Sequence, residues 1–236
     1  MKTFEKKEYR KIHLGCGLNT PRGWVNVDGS WNAWLAKYRI IKKLLKYLHI
    51  APDNYFNVPW NPEIIIHDVR RGLPFADNST GAIYASHLFE HLYFEEEEFL
   101  LKECFRILLP EGVLRIVVPD LKAIIEEYMG KRKLENNENM GALGPAERLN
   151  RRLLLRDIGP PRGGIIYRFY TLIKDFHSHK YIHDVDSLRK MFEKAGFKEV
   201  LEKGYHQSRI EDIHIIEQKE CMINGAGICI EGLKRE

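Results

Sequence analysis

Three groups of residues in this sequence have types and spacings suited to chemistry. The first is Gly15-Cys16-Gly17, a turn so short of side chains that a ligand can approach main-chain N–H and C=O groups. The second is a pair of aspartates, Asp28 and Asp68. A carboxylate accepts several hydrogen bonds, so Asp28 is suited to ribose hydroxyls and Asp68 to an adenine amino group, with Val69 beside it offering backbone polarity and an apolar surface; each aspartate is equally suited to capping a turn. The third is the run His87-Leu88-Phe89-Glu90-His91. On a helical path His87 and His91 share a face, and His91 oriented by Glu90, or Glu90 itself, can take a proton near neutral pH. The same side chains can instead fix the local chain by hydrogen bonds. A further set, His177, His179 and His183 with Asp184 and Asp186, has a spacing that permits a metal. Nothing in it makes three ligands converge, and we expect no metal there. Instead His179 and His183, near Arg162 and Tyr167, are read as bordering a substrate; aromatics with a guanidinium suit a sugar or an anionic glycolipid.

These groups need elements to hold them at the ends of strands. Lys11–Leu14, Trp24–Val27, Ile64–Ile66, Ala82–Ala85 and Val113–Val118 read as strands, and each is followed by one of the polar groups or by Pro119-Asp120. Helical spacing marks Trp31–Leu48, Glu95–Leu109, Leu121–Tyr128, Ala146–Arg156 and Ser187–Ala195. Alternating strands and helices predict a mostly parallel α/β sheet with helices on both faces, whose ligands collect outside the carboxyl ends of the strands. Lys198–Leu201 and Ile213–Ile216 read as an antiparallel hairpin at one sheet edge, and the glycine-bearing tail from Cys221 onward as a minor addition to the core. Only about ten residues separate the glycine turn from the second strand, too few for the usual crossover helix. The expected organisation is a single domain over 1–236, with a helical insertion at 30–60 and substrate-side helices and loops at 130–183.

Among 236 residues, 37 Lys and Arg face 33 Asp and Glu, a net charge of +4 too small to imply nucleic-acid binding. The start carries no apolar run of the kind a signal peptide needs, and no stretch suits a membrane span, so a cytoplasmic location is expected. The basic face of 31–48 is compatible with peripheral membrane contact, although most such faces are simply solvated. Four cysteines without paired spacing read as reduced structural thiols. Oligomeric state is not legible.

Taken in order, His13-Leu14-Gly15-Cys16-Gly17, Trp24-Val25-Asn26-Val27-Asp28, Asp68 with Leu73-Pro74-Phe75-Ala76-Asp77-Asn78-Ser79, His87–His91, and Phe105–Leu114 with its Pro110-Glu111-Gly112 turn resemble a class I S-adenosylmethionine-dependent methyltransferase. Pro119-Asp120 and Leu188–Val200 extend the match, which is nearest to a branch associated with glycan or polysaccharide biosynthesis. The resemblance implies a Rossmann-like fold with S-adenosylmethionine as cofactor. Gly15, Cys16, Gly17 and Asn19 would pass its methionine part, Asp28 would hold ribose, Asp68 and Val69 would flank adenine, and His87 and Leu88 would stand beside the sulfonium. Departures are the shortened first crossover and Glu111 where the turn usually has glycine. The rivals are a nicotinamide-dependent sugar epimerase or dehydrogenase, which needs a long pyrophosphate-binding helix after the glycines, and a non-catalytic partner of the same fold in a glycan-modifying assembly.

Overall fold

The computed structural model describes residues 10–38, 40, 43, 47, 58–134, 143–153 and 178–235. Seven strands form one sheet: β1 (Arg10–Leu14), β2 (Val25–Asp28), β3 (Ile65–Ile66), β4 (Thr80–Ser86), β5 (Leu108–Pro119), β6 (Lys198–Lys203) and β7 (Gly227–Leu233), in the order β3-β2-β1-β4-β5-β7-β6. β1 through β5 run parallel, and β7 lies antiparallel to both β5 and β6. This is the expected α/β sheet, with strand order reversing between β1 and β4 so that a crevice opens at their carboxyl ends.

One correction concerns the edge. Ile213–Ile216 is not a strand but a short helical turn, and the partner of β6 is Gly227–Leu233, inside the segment read as a minor tail. Ile213 and Ile216 are buried while His214 and Ile215 between them are exposed, a spacing of three that fits a helical turn better than a strand. The tail conceals its strand behind glycines that close packing demands. A β-carbon at Gly232 would come within 2.7 Å of Phe192, and one at Gly227 within 2.9 Å of Met222.

On one face of the sheet, Ile12, Leu14, Ile83, Ala85, Leu114, Ile116 and Val118 pack against α2 (Phe94–Ile107) and α5 (Val185–Lys194). α1 (Trp31–Lys37) precedes them in the chain, α3 (Leu121–Tyr128) and α4 (Pro145–Arg152) lie between them, and α6 (Ile213–Ile216) follows. The predicted helix over 31–48 is seen as α1; most of its remaining length, and the larger part of the 130–183 segment, lie outside the described residues. No described helix is long and apolar enough to cross a membrane.

The opposite face shows what replaces the missing crossover. β1 and β2 are parallel neighbours joined by 15–24 without a helix. Trp24, Ala82, Tyr84, Val113 and Val117 would therefore be bare, and Ile210, Ile213 and Ile216 from the β6–β7 connection cover them. Arg115 stands on this face with no exposure at all. Its Nε donates to Glu217 (2.9 Å), one terminal nitrogen to Glu231 and the Gln207 carbonyl (both 3.0 Å), and the other to Glu217 (2.9 Å) and the Gly204 carbonyl (3.1 Å). All five guanidinium donors are thus satisfied, which ties the connection to the sheet.

Two details of this scaffold have measurable consequences. Glu111 adopts φ 65°, the left-handed conformation that a glycine would take without strain, and its carboxylate pairs with Arg235. His13 is buried beside the Tyr84 ring, and burial lowers its pKa from 6.5 to about 4. The unfolded chain therefore takes up a proton that the folded one refuses. His13 contributes stability that is complete above pH 6.5 and lost as pH falls toward 4, at up to about 1.4 kcal/mol per pH unit. A His13→Gln variant is expected to show a shallower loss of urea stability across that window; an unchanged slope would refute the assignment.

Candidate functional site

The carboxyl ends of β1, β2, β3 and β4 bring the glycine turn, both aspartates and the histidine run to one edge of the sheet. Gly15 and Gly17 have φ of 65° and 53°. A β-carbon on Gly15 would sit 3.1 Å from Leu88, whereas one on Gly17 would meet nothing within 4 Å. Leu88 thus closes one side of the turn, and the space over Gly17 is open. Cys16 is buried and offers its main chain rather than its thiol, which burial, with Asp28 nearby, pushes up to about 12. The Asn19 side chain donates to the Ile216 carbonyl at 2.7 Å, fastening the turn to the β6–β7 connection.

Asp28 is nearly buried at the end of β2, and each of its oxygens accepts one main-chain donor: Gly17 N–H at 2.9 Å and Ser30 N–H at 2.7 Å. A carboxylate has about four lone-pair sites, so two remain for a ligand. The chain then passes so close to β3 that a β-carbon on Gly29 would strike the His67 carbonyl oxygen at 2.6 Å. Gly29 and Ser30 were not singled out from the sequence; the signal was Gly-Ser following Asp28 at a strand end.

Asp68 adjoins Asp28 across that contact, but its side chain is spoken for. It accepts Arg70 Nε at 2.8 Å, a terminal Arg70 nitrogen at 2.9 Å and the Arg70 main-chain N–H at 3.1 Å. These bonds hold its carboxyl below the usual range and cap a short 3-10 turn, Val69–Arg71. The Val69 side chain packs into the main core, so what Val69 offers a ligand is its main chain.

The histidine run forms a 3-10 turn, Phe89–His91, rather than an α-helix, so His87 and His91 do not share a face by helical repeat. His87, at φ 52°, has both ring nitrogens engaged: Nδ1 with Glu90 at 2.8 Å and Nε2 with the Cys221 carbonyl at 2.9 Å. Burial opposes charge on this ring, but the Glu90 carboxylate and the Cys221 carbonyl prevail and its pKa is raised. His91 Nδ1 lies 3.3 Å from the Ser178 carbonyl, which makes that nitrogen the donor. Glu90 is fully buried, and its main-chain carbonyl accepts Lys180 N–H at 2.7 Å. The 178–181 segment is thereby held against the turn, and the His179 ring stands 5.2 Å from that of His91.

His183 is corrected as a substrate contact. It is buried, Nε2 bonding Glu97 at 2.8 Å and Nδ1 meeting the Ser187 hydroxyl at 3.3 Å, so neither nitrogen faces a ligand. Asp184 caps α5 and Asp186 pairs with Arg189. The histidine and aspartate set spaced along 179–186 therefore does not converge. Arg162, Tyr167 and His177 lie outside the described residues.

Residues 13–116, which carry the glycine turn, both aspartates and the histidine run, match the family described as Methyltransferase domain. No curated protein matches the chain. Similar solved structures include an S-adenosylmethionine-dependent methyltransferase of Thermotoga maritima, 17% identical, with 96% of this chain and 82% of that one covered at a TM-score of 0.44. Another, from Archaeoglobus fulgidus, is 15% identical, with coverage of 97% and 87% and a TM-score of 0.44.

Proposed function

We propose that residues 13–116, which match the Methyltransferase domain family, take S-adenosylmethionine, and we assign which residues receive it and where the acceptor stands. The methionine part lies along the main chain of Gly15 to Gly17, and the ribose hydroxyls take the two free lone-pair sites of Asp28. Adenine lies toward the 68–69 main chain, and Leu88 and His87 stand beside the sulfonium. The observation that carries this reading is the cradle over Gly17, open where a β-carbon would stand and edged by a carboxylate with acceptor capacity to spare. A dinucleotide is disfavoured, because 15–24 contains no helix to receive a pyrophosphate.

The acceptor atom attacks the methyl carbon in line with sulfur; the C–S bond breaks with its electron pair left on sulfur, and the acceptor gives up its proton. His87 is locked between Glu90 and Cys221, so activation of the acceptor falls to Glu90, His91 and His179. A small molecule or a sugar-bearing glycan is the acceptor class we favour. The support is the ordered likeness of the motifs to the glycan-associated branch.

Titration calorimetry with S-adenosylhomocysteine on the whole chain tests the cofactor site. Saturable binding is expected for the natural chain. Gly17→Ala should weaken it about tenfold or more, which is at least ~1.4 kcal/mol. It should cost about 1–2 kcal/mol of stability, from the left-handed backbone alone. A folded natural chain that fails to bind would overturn the reading and favour a non-catalytic partner of the same fold.

A further inference from the structure

We propose that Glu90, His91 and His179 hold a divalent transition-metal ion that binds the acceptor's hydroxyl oxygen beside the sulfonium site. One ligand atom from each of the three residues lies within 4.8 Å of the others, so small side-chain movements bring all of them onto one ion. Two imidazoles and one carboxylate are the donor set of open zinc and iron(II) sites, which leave positions for a substrate oxygen.

Two independent observations point inward to a ligand. The Glu90 side chain has no solvent exposure, and while Oε1 is bonded to His87, Oε2 has no hydrogen-bond partner among the described residues. A buried carboxylate oxygen left this way is costly unless something cationic or hydrogen-bonding completes it. The His179 side chain is only 6% exposed, and its Nε2 is 4.0 Å from the same carboxylate. Supporting bonds orient the set as outer partners do in metal sites: His87 grips the second Glu90 oxygen, the Ser178 carbonyl grips His91 Nδ1, and Lys180 N–H grips the Glu90 main chain. The cluster follows Leu88, which touches the glycine turn, and so adjoins the place assigned to the methyl group.

This inference rests on the methyltransferase reading and adds an oxygen acceptor to it. The cation lowers the pKa of a bound hydroxyl, whose proton passes to water, and the resulting oxygen attacks the methyl carbon as the C–S electron pair stays on sulfur.

The test uses the whole chain stripped with a chelator and titrated with Co2+, read by visible absorption. One equivalent is expected to bind with a saturating visible spectrum. His179→Ala and His91→Gln are each expected to weaken binding about a hundredfold or more. His214→Ala, on an exposed position of α6, should leave binding unchanged. S-adenosylhomocysteine titration of every variant reports an intact fold; if His179→Ala is unfolded, His91→Gln decides. Absence of Co2+ binding, or equal affinity in folded variants, overturns the metal site. Loss of S-adenosylhomocysteine binding in the natural chain, with Co2+ binding retained, would instead overturn the cofactor reading.

Discussion

Asp28→Ala is expected to weaken S-adenosylhomocysteine binding about a hundredfold or more. Two charge-assisted bonds to ribose hydroxyls are each worth about 1.5–3 kcal/mol, so losing both removes at least ~3 kcal/mol. The substitution also releases Gly17 N–H and Ser30 N–H, the donors that hold the turn to the start of α1. Part of the loss therefore arises from a looser cradle, and Asp28→Asn separates the two effects. It keeps one oxygen and the side-chain volume but not the charge, so it should bind with intermediate affinity. Calorimetry on variants shown by thermal melting to be folded makes the measurement. An affinity for Asp28→Ala within about threefold of the natural chain, under ~0.7 kcal/mol, would remove ribose from this carboxylate.

Arg115→Ala is expected to destabilise the fold by about 3–5 kcal/mol, the range seen when one partner of a buried ion pair is deleted. Glu217 and Glu231, both essentially unexposed, would be left facing each other without a cation. The Gln207 and Gly204 carbonyls would lose their donors too. Adding Glu217→Gln and Glu231→Gln to an Arg115→Met variant should recover part of the loss, because the stranded charges go with the guanidinium. Urea denaturation reads both, and a loss below about 1 kcal/mol for Arg115→Ala would show that the network does not hold this face. The effect should reach the cofactor site, since Asn19 is fastened to Ile216, one residue before Glu217.

Parallel strands were legible because Ile12, Val27, Ile83 and, Arg115 apart, the run Val113–Val118 are apolar with clear stops. The shortened first connection was legible as a count of residues. Its consequence was not, because nothing local in Ile210, Ile213 and Ile216 says that they cover Trp24 and Tyr84 from far earlier in the chain. β7 was hidden for the opposite reason: Gly227 and Gly232 look like loop residues until Met222 and Phe192 are seen against them. At the site, the pairing of Gly17 with Asp28 follows from adjacent strand ends. Asp68 illustrates the limit, since an aspartate two residues before an arginine at a turn satisfies itself locally. His179 was assigned to its sequence neighbours His177 and His183, yet the fold delivers it to Glu90 and His91 instead.

Because Gly227–Leu233 lies between β5 and β6, the sheet cannot be completed in the order in which the ribosome makes it. During synthesis β6 emerges with no neighbour, and the long flank of β5 from Val113 to Pro119 stays unpaired until the final strand is free to slide in. A nascent chain carrying such a flank is an open template for other strands. Shielding by a chaperone should matter most for this protein in that interval.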